Sequence, residues 1–191
     1  MEDVTVKKQQ LRNEARETVA SLSDADRQHK TDRIESRLLE FANFMEAETA
    51  LFYLNPDYFV DTRRIIGHCL RLPKNIVLPF FAPDNRVSLY KINSLETDLL
   101  HDNFSPAPDR CKPVQFHEID IALIPGVAFD EKGGRLGTGR GHYDRIIPKL
   151  PNTVRKIALA ITEQLFPQVP MESHDKFVDI IITDQRVIYK I

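Results

Sequence analysis

Apolar residues keep a helical period only in the first quarter of the chain; after residue 48 they gather into short runs. Across residues 5 to about 20, Leu11, Ala15 and Leu22 fall near one face, and Lys8, Arg12 and Arg16 recur every four positions, which predicts a helix. Ser23 then reads as an N-cap, with Asp26 completing an imperfect capping box. A second helix follows, with Ile34, Leu38, Phe41 and Met45 on its buried stripe. TALFYL (49–54) is a short apolar strand ended by Asn55-Pro56. Asp61 is placed to cap a helix carrying Ile65, Ile66, Cys69 and Leu70. NIVLPF (75–80) reads as a strand, and RVSLYKI (86–92) alternates as a half-exposed one. Asn103 to Pro113 holds three prolines without periodicity and is expected to be a loop.

IDIALIP (119–125) is the best candidate for a central strand buried on both faces. It is expected to feed a glycine-rich loop and then a helix with Tyr143, Ile146, Ile147 and Leu150. KIALAI (156–161) is another buried strand, and IIIT and VIYK form a terminal pair around Asp184-Gln185-Arg186. Alternating strands and helices imply an α/β layered fold with a largely parallel sheet. With no repeat, low-complexity segment or boundary, residues 1–191 are expected to form a single domain.

Composition narrows the function more than the fold. The formal net charge of -2 argues against a broad nucleic-acid-binding face, so any anion site must be local. Cys69 and Cys111 lack metal-ligand spacing, and such sparse use suits a reducing cytosol. No apolar run approaches the ~20 residues that span a bilayer, and MEDVTVKKQQLR lacks an apolar signal region. The expected setting is therefore cytoplasmic, with no membrane or nucleic-acid partner.

Five of the seven glycines, Gly133, Gly134, Gly137, Gly139 and Gly141, fall within nine positions. Such a run lets successive backbone amides turn toward an anion, and the helix starting near His142 would add its positive end. Neither common phosphate-loop template fits, because Arg140-Gly141 stands where a Walker loop has Lys-Ser/Thr and His142 stands where a dinucleotide loop has glycine. Arg135 and Arg140 can supply charge-assisted bonds to phosphate. The bland alternative is a surface turn with solvated arginines. Asp144 either complements a helix dipole or anchors Mg²⁺ beside phosphates. Lys8 and Arg12, one helical turn apart, can reach a single anion or form a solvated face. SHDKFVDIIIT (173–183) offers His174, Asp175 and Asp179; a His-Asp pair before a buried strand is more often a structural hydrogen bond than a metal site.

Taken together, PGVAFDEKGGRLGTGRGHYD (125–144), KQQLR (8–12), LFYL and VDT (within 51–62), NIVLP (75–79) and the tail with Gln164, Pro170, His174-Asp175 and Val178-Asp179 resemble the 5-formyltetrahydrofolate cyclo-ligase family. The glycine motif is the specific part; the rest supports it by order and spacing. The resemblance implies a three-layer α/β sandwich with a mostly parallel central sheet flanked by helices. It also implies an ATP- and Mg²⁺-dependent cyclisation of 5-formyltetrahydrofolate to 5,10-methenyltetrahydrofolate, in which the formyl oxygen is phosphorylated and the folate's N10 displaces phosphate. Carried over, Lys8, Arg12, Arg135, Leu136, Gly137, Thr138, Gly139, Gly141 and Tyr143 would bind ATP. Arg140 and Tyr143 would be catalytic, Phe59, Arg140 and His142 would meet the folate, and Asp144 and Asp179 would bind Mg²⁺. The partners implied are ATP and a reduced folate, and a monomer is expected.

The chain departs from the family pattern at Phe59, usually glutamate, at NFSPAPD (103–109), and at His142, commonly tyrosine. These departures keep two alternatives in play: a paralogue that activates a different formyl, carboxyl or amide substrate, and a non-catalytic nucleotide-binding module.

Overall fold

The computed structural model describes residues 3–54, 59–102 and 104–190. Helix α1 (Val4–Ala20) is capped by Asp3, whose side chain accepts the Thr5 N–H, and buries Lys8, Leu11, Ala15 and Val19. Leu22 lies past its end. Ser23 caps α2 (Asp24–Glu40) as expected, accepting the Asp26 N–H at 3.1 Å. The apolar stripe does not continue through Met45, however. At Phe41 the backbone becomes extended, with ψ 112°, and a separate short helix α3 (Ala42–Glu46) buries Phe44 and leaves Met45 45% exposed.

Among the described residues, ten strands form two sheets. Strands β1 (Thr49–Leu51), β2 (Asn75–Phe81), β3 (Val87–Ile92), β4 (Lys112–Val114), β5 (Ile121–Leu123), β8 (Arg155–Ala160), β9 (Ile180–Thr183) and β10 (Val187–Tyr189) make the main sheet. Its order is β10-β9-β8-β5-β1-β2-β3-β4. The five strands from β9 to β2 run parallel; β10 pairs antiparallel with β9 at one edge, and at the other β3 pairs antiparallel with both β2 and β4. Every residue of β1, β5 and β9 is buried. A strand buried on both faces needs a layer over each face, as a three-layer sandwich supplies. From β1 the chain leaves to one side for β2 and later returns to β5 on the other. The carboxyl ends of β1 and β5 therefore form a topological switch point, where open α/β sheets hold ligands.

Several expected boundaries shift for local reasons. The ladder of β1 stops at Leu51, although Phe52, Tyr53 and Leu54 stay buried; the proposed Asn55-Pro56 stop lies outside the described residues. Thr62 rather than Asp61 occupies the N-cap of α4 (Arg63–Cys69), with Asp61 accepting the Arg63 N–H at 2.9 Å. The proline-rich segment, whose Asn103 is not described, ends in edge strand β4, where Pro113 needs no ladder donor. The helix after the glycine segment is short: α5 (His142–Ile146) gives way to a 3₁₀ turn, Ile147–Lys149, that contains Pro148.

The largest difference follows β5. Instead of entering a loop directly, the chain makes a small antiparallel hairpin, β6 (Ala128–Phe129) and β7 (Arg135–Leu136). A second apolar cluster of Leu11, Ala15, Val127, Ala128, Leu136 and Val169 fastens α1 against this hairpin. Among the described residues no helix is long and apolar enough to cross a membrane.

Leu123→Ala, in fully buried β5, is expected to lower unfolding free energy by about 2–5 kcal/mol, whereas Met45→Ala stays within about 0.5 kcal/mol. Chemical denaturation measures both; equal losses would contradict the break at Phe41.

Candidate active site

The hairpin turn is built around a buried carboxylate. Asp130 Oδ1 accepts the N–H groups of Lys132 at 3.0 Å and Gly134 at 2.8 Å, while its Oδ2 accepts the Val169 N–H at 2.8 Å. Gly133, at φ +82°, closes the turn by donating to Asp130 O at 3.0 Å. The first two glycines of the motif thus shape a turn, and neither lines the cleft that the remaining three border. The anion seat expected across residues 133–141 begins at Arg135.

That cleft, of about 390 Å³, lies between α1, the segment from β7 to α5, and residues 174–175. Arg135 forms its floor with a side chain only 3% exposed, donating to Pro125 O at 3.1 Å and to Asp144 Oδ1 at 2.5 Å. Its third nitrogen, Nε, is buried without a hydrogen-bond partner among the described residues. Gly139 has φ +99°, a conformation L side chains avoid, and so turns the chain beside Arg12. Arg12 Nε in turn donates to Gly137 O at 2.9 Å, pinning α1 across the glycine segment.

Lys8 sits on the buried stripe of α1, 8% exposed, and donates to Glu172 Oε2 at 2.7 Å and Asp175 Oδ2 at 2.5 Å. Burial pulls the Lys8 pKa down, but bonds to Asp175 and Glu172 outweigh it and the net shift is upward. Burial pushes Asp175 up, and its bonds from Lys8 and the Glu172 N–H more than reverse that. Glu172, His174 and Asp175 bring possible ligand atoms within 4.8 Å of one another. At the opposite wall the His142 ring stacks on Phe81, centroids 4.2 Å apart and 17° from parallel. Burial, then Arg145 and Arg140, lower the His142 pKa.

A buried guanidinium and a buried ammonium, each held by carboxylates around backbone amides, match a polyanion and its metal. The comparisons agree with this chemistry. Residues 4–184 match the sequence profile of the 5-formyltetrahydrofolate cyclo-ligase family. The chain belongs to that family. It is 27% identical to a probable 5-formyltetrahydrofolate cyclo-ligase of Schizosaccharomyces pombe, covering 98% of this chain and 100% of the other. It is 28% identical to the 5-formyltetrahydrofolate cyclo-ligase of Haemophilus influenzae, over 90% and 94% of the two chains. Its fold matches that of the Aquifex aeolicus 5,10-methenyltetrahydrofolate synthetase with a TM-score of 0.81 at 27% identity, covering 96% and 92%.

Of the residues carried over from the cyclo-ligase family, Lys8, Arg12, Arg135, Leu136, Gly137, Thr138, Gly139, Gly141, His142, Tyr143 and Asp144 line this cleft. Three others do not. Asp179 opens β9 at the amino end of the parallel strands, where it accepts the Lys156 N–H at 2.9 Å and pairs with Lys156 Nζ at 3.0 Å; it lines a different hollow. Arg140 is exposed between Gly139 and Gly141 and does not line the cleft. Phe59 packs partly buried between both apolar clusters and borders a separate hollow with Arg27 and Arg64. α5, five residues long, offers less of a helix dipole than expected.

Asp175, read from the sequence as more often half of a structural hydrogen bond, accepts from Lys8 and lines the cleft; Arg145 lines it too. Glu172, which the sequence did not single out, shares Lys8 with Asp175. One signal was available: Lys8, Leu11, Ala15 and Val19 are in helical phase, and a lysine on a buried stripe needs a carboxylate partner.

The His142 imidazole should titrate below the 6.5 of a free histidine, so that it is neutral at pH 7. Because its folded pKa is lowered, the stability its neutral form contributes is fully present above 6.5 and is lost as pH falls below that value through the folded pKa. NMR titration of the ring protons checks this; a midpoint at or above 6.5 would contradict it.

Proposed function

We propose that the chain is an ATP-dependent 5-formyltetrahydrofolate cyclo-ligase whose phosphoryl transfer takes place in the cleft between α1 and residues 135–144. The observation that carries this reading is the convergence of Lys8, Arg12 and Arg135 with Asp144 and Asp175 in one concave site. An amide-like formyl oxygen is a poor leaving group, so closing the ring requires converting it into a phosphate ester. The formyl oxygen attacks the γ-phosphorus of ATP and ADP departs. The folate's N10 then attacks the activated carbon, loses its proton, and inorganic phosphate leaves with the former formyl oxygen.

Such chemistry asks a protein mainly for positioning and charge neutralisation. Lys8, Arg12 and Arg135 are suited to the phosphate oxygens, helped by amides of Gly137, Thr138 and Gly139. Arg135 Nε is a buried donor with no acceptor among the described residues, as expected of a group whose partner is a ligand. Asp144 and Asp175 have the hard oxygen donors that suit Mg²⁺, and both line the cleft, unlike Asp179. When bound there, Mg²⁺ would neutralise charge on the phosphates. The stacked His142 and Phe81 rings offer a flat wall for the second substrate, with Tyr143 buried behind them. Arg140 is exposed, which suits a contact with the anionic tail of a folate.

The departures at Phe59 and residues 104–109 do not border the phosphate cleft and leave its lining intact.

Mixing the protein with Mg-ATP and 5-formyltetrahydrofolate should produce methenyl absorbance and phosphate in equal amounts. Arg135→Ala should lower kcat/KM by about 100-fold, ~2.7 kcal/mol of transition-state stabilisation, and Arg135→Lys should not restore it because the planar fork is lost. Wild-type turnover in either variant would remove Arg135 from the site.

A further inference from the structure

Two residues of α5 meet the tip of the β2–β3 hairpin. His142 and Arg145 stand three positions apart and so share a face of the helix. His142 lines the cleft and stacks on Phe81, the last residue of β2, with ring centroids 4.2 Å apart. Arg145 also lines the cleft, and its Nη1 donates to Asn85 Oδ1 at 2.9 Å. Asn85 belongs to the turn that joins β2 to β3. Its N–H donates to Ala82 O at 3.0 Å, and its φ of +64° is one that asparagine tolerates better than most side chains. Arg145 thus holds the turn, the turn carries Phe81, and Phe81 sets the plane of the His142 ring. After burial, the Arg145 charge does most to lower the His142 pKa, so the same guanidinium favours a neutral ring. α5 is only five residues long, and a helix that short owes its place to packing and side-chain ties rather than to its own hydrogen bonds.

We propose that Arg145 is a positioning residue for the second substrate: through Asn85 it fixes the hairpin tip, and with it the His142 plane against which a flat conjugated ring stacks. This deepens the functional reading above and rests on it. The opposite wall of the cleft is held by separate ties, Lys8 to Glu172 and Asp175 and Arg12 to Gly137 O. Loosening the hairpin tip therefore weakens the hold on the folate and leaves the hold on the nucleotide unchanged.

Steady-state kinetics of the full chain, with 5-formyltetrahydrofolate and Mg-ATP varied in turn, tests the tether. Asn85→Gly removes the acceptor but suits the positive φ, so the turn keeps its shape. It should raise KM for 5-formyltetrahydrofolate by about 3- to 10-fold, the size of one hydrogen bond at an exposed site, and leave kcat and KM for ATP within about twofold. Asn85→Asp keeps an oxygen acceptor and tolerates the same φ, so it should behave as wild type. Arg145→Met should raise the same KM by a similar factor, and adding Asn85→Gly to it should change little further, because both break one contact. A fall in kcat with both KM values unchanged is what a role in fold stability alone would give, and it overturns the proposal. So does an unchanged folate KM in Asn85→Gly, a loss in Asn85→Asp equal to that in Asn85→Gly, an equal rise in KM for ATP, or additive losses in the double variant. Absence of turnover in folded wild type is a different result: it overturns the functional reading beneath.

Discussion

A buried ammonium organises the site. Lys8 stands where the rest of the α1 stripe is apolar, and its charge can stay inside only because Glu172 and Asp175 meet it there. Those partners lie 164 and 167 residues away in sequence, so the contact draws the first helix and the segment before β9 onto the same wall. Arg12, one turn later, bonds to Gly137 across 125 residues. Without these polar ties, α1 would rest on the hairpin through a small apolar cluster alone, and the cleft would lose a side. Breaking such a pair costs more than forming it contributes, because the remaining charge is stranded in a poor solvent. The site is thus held together by the same groups that the proposed chemistry would use.

The sheet supplies the rigid half. Five parallel strands place the carboxyl ends of β1 and β5 together where the chain leaves in opposite directions, and the hairpin and glycine segment follow directly from β5. Asp130 then fixes the turn of the hairpin and reaches across to Val169, so one carboxylate sets the spacing between the glycine segment and the chain that leads to Glu172. Gln164 does similar work at the other end of the hairpin, donating to Gly126 O at 3.1 Å from the end of β8. Both use side chains to satisfy the backbone groups of an irregular, buried connection.

Much of this was legible in the residue pattern. The buried runs at 119–125 and 156–161 marked the central strands, and Ser23 marked a helix start. The misses share a cause. Periodicity reports burial along one element but not where the chain breaks within it, so Phe41 and Pro148 ended helices that the stripes seemed to continue. The density of glycines signalled an unusual backbone, yet it mixed two jobs: Gly133 and Gly134 serve a hairpin turn, while Gly137, Gly139 and Gly141 border the cleft. The acidic residues were hardest. Asp175 and Asp179 are four apart, and only the three-dimensional placement separates a cleft carboxylate from one that pairs with Lys156 at the far end of the sheet.

The central claim is that residues 135–144 and α1 together seat a nucleotide's phosphates. Chemical-shift mapping of the isotope-labelled protein with Mg-ATP tests it most directly. The account requires the largest shifts at the amides of Gly137, Thr138 and Gly139 and at the Lys8 and Arg12 side chains. Shifts concentrated instead around Phe59 and Arg64, with the glycine segment silent, would contradict it.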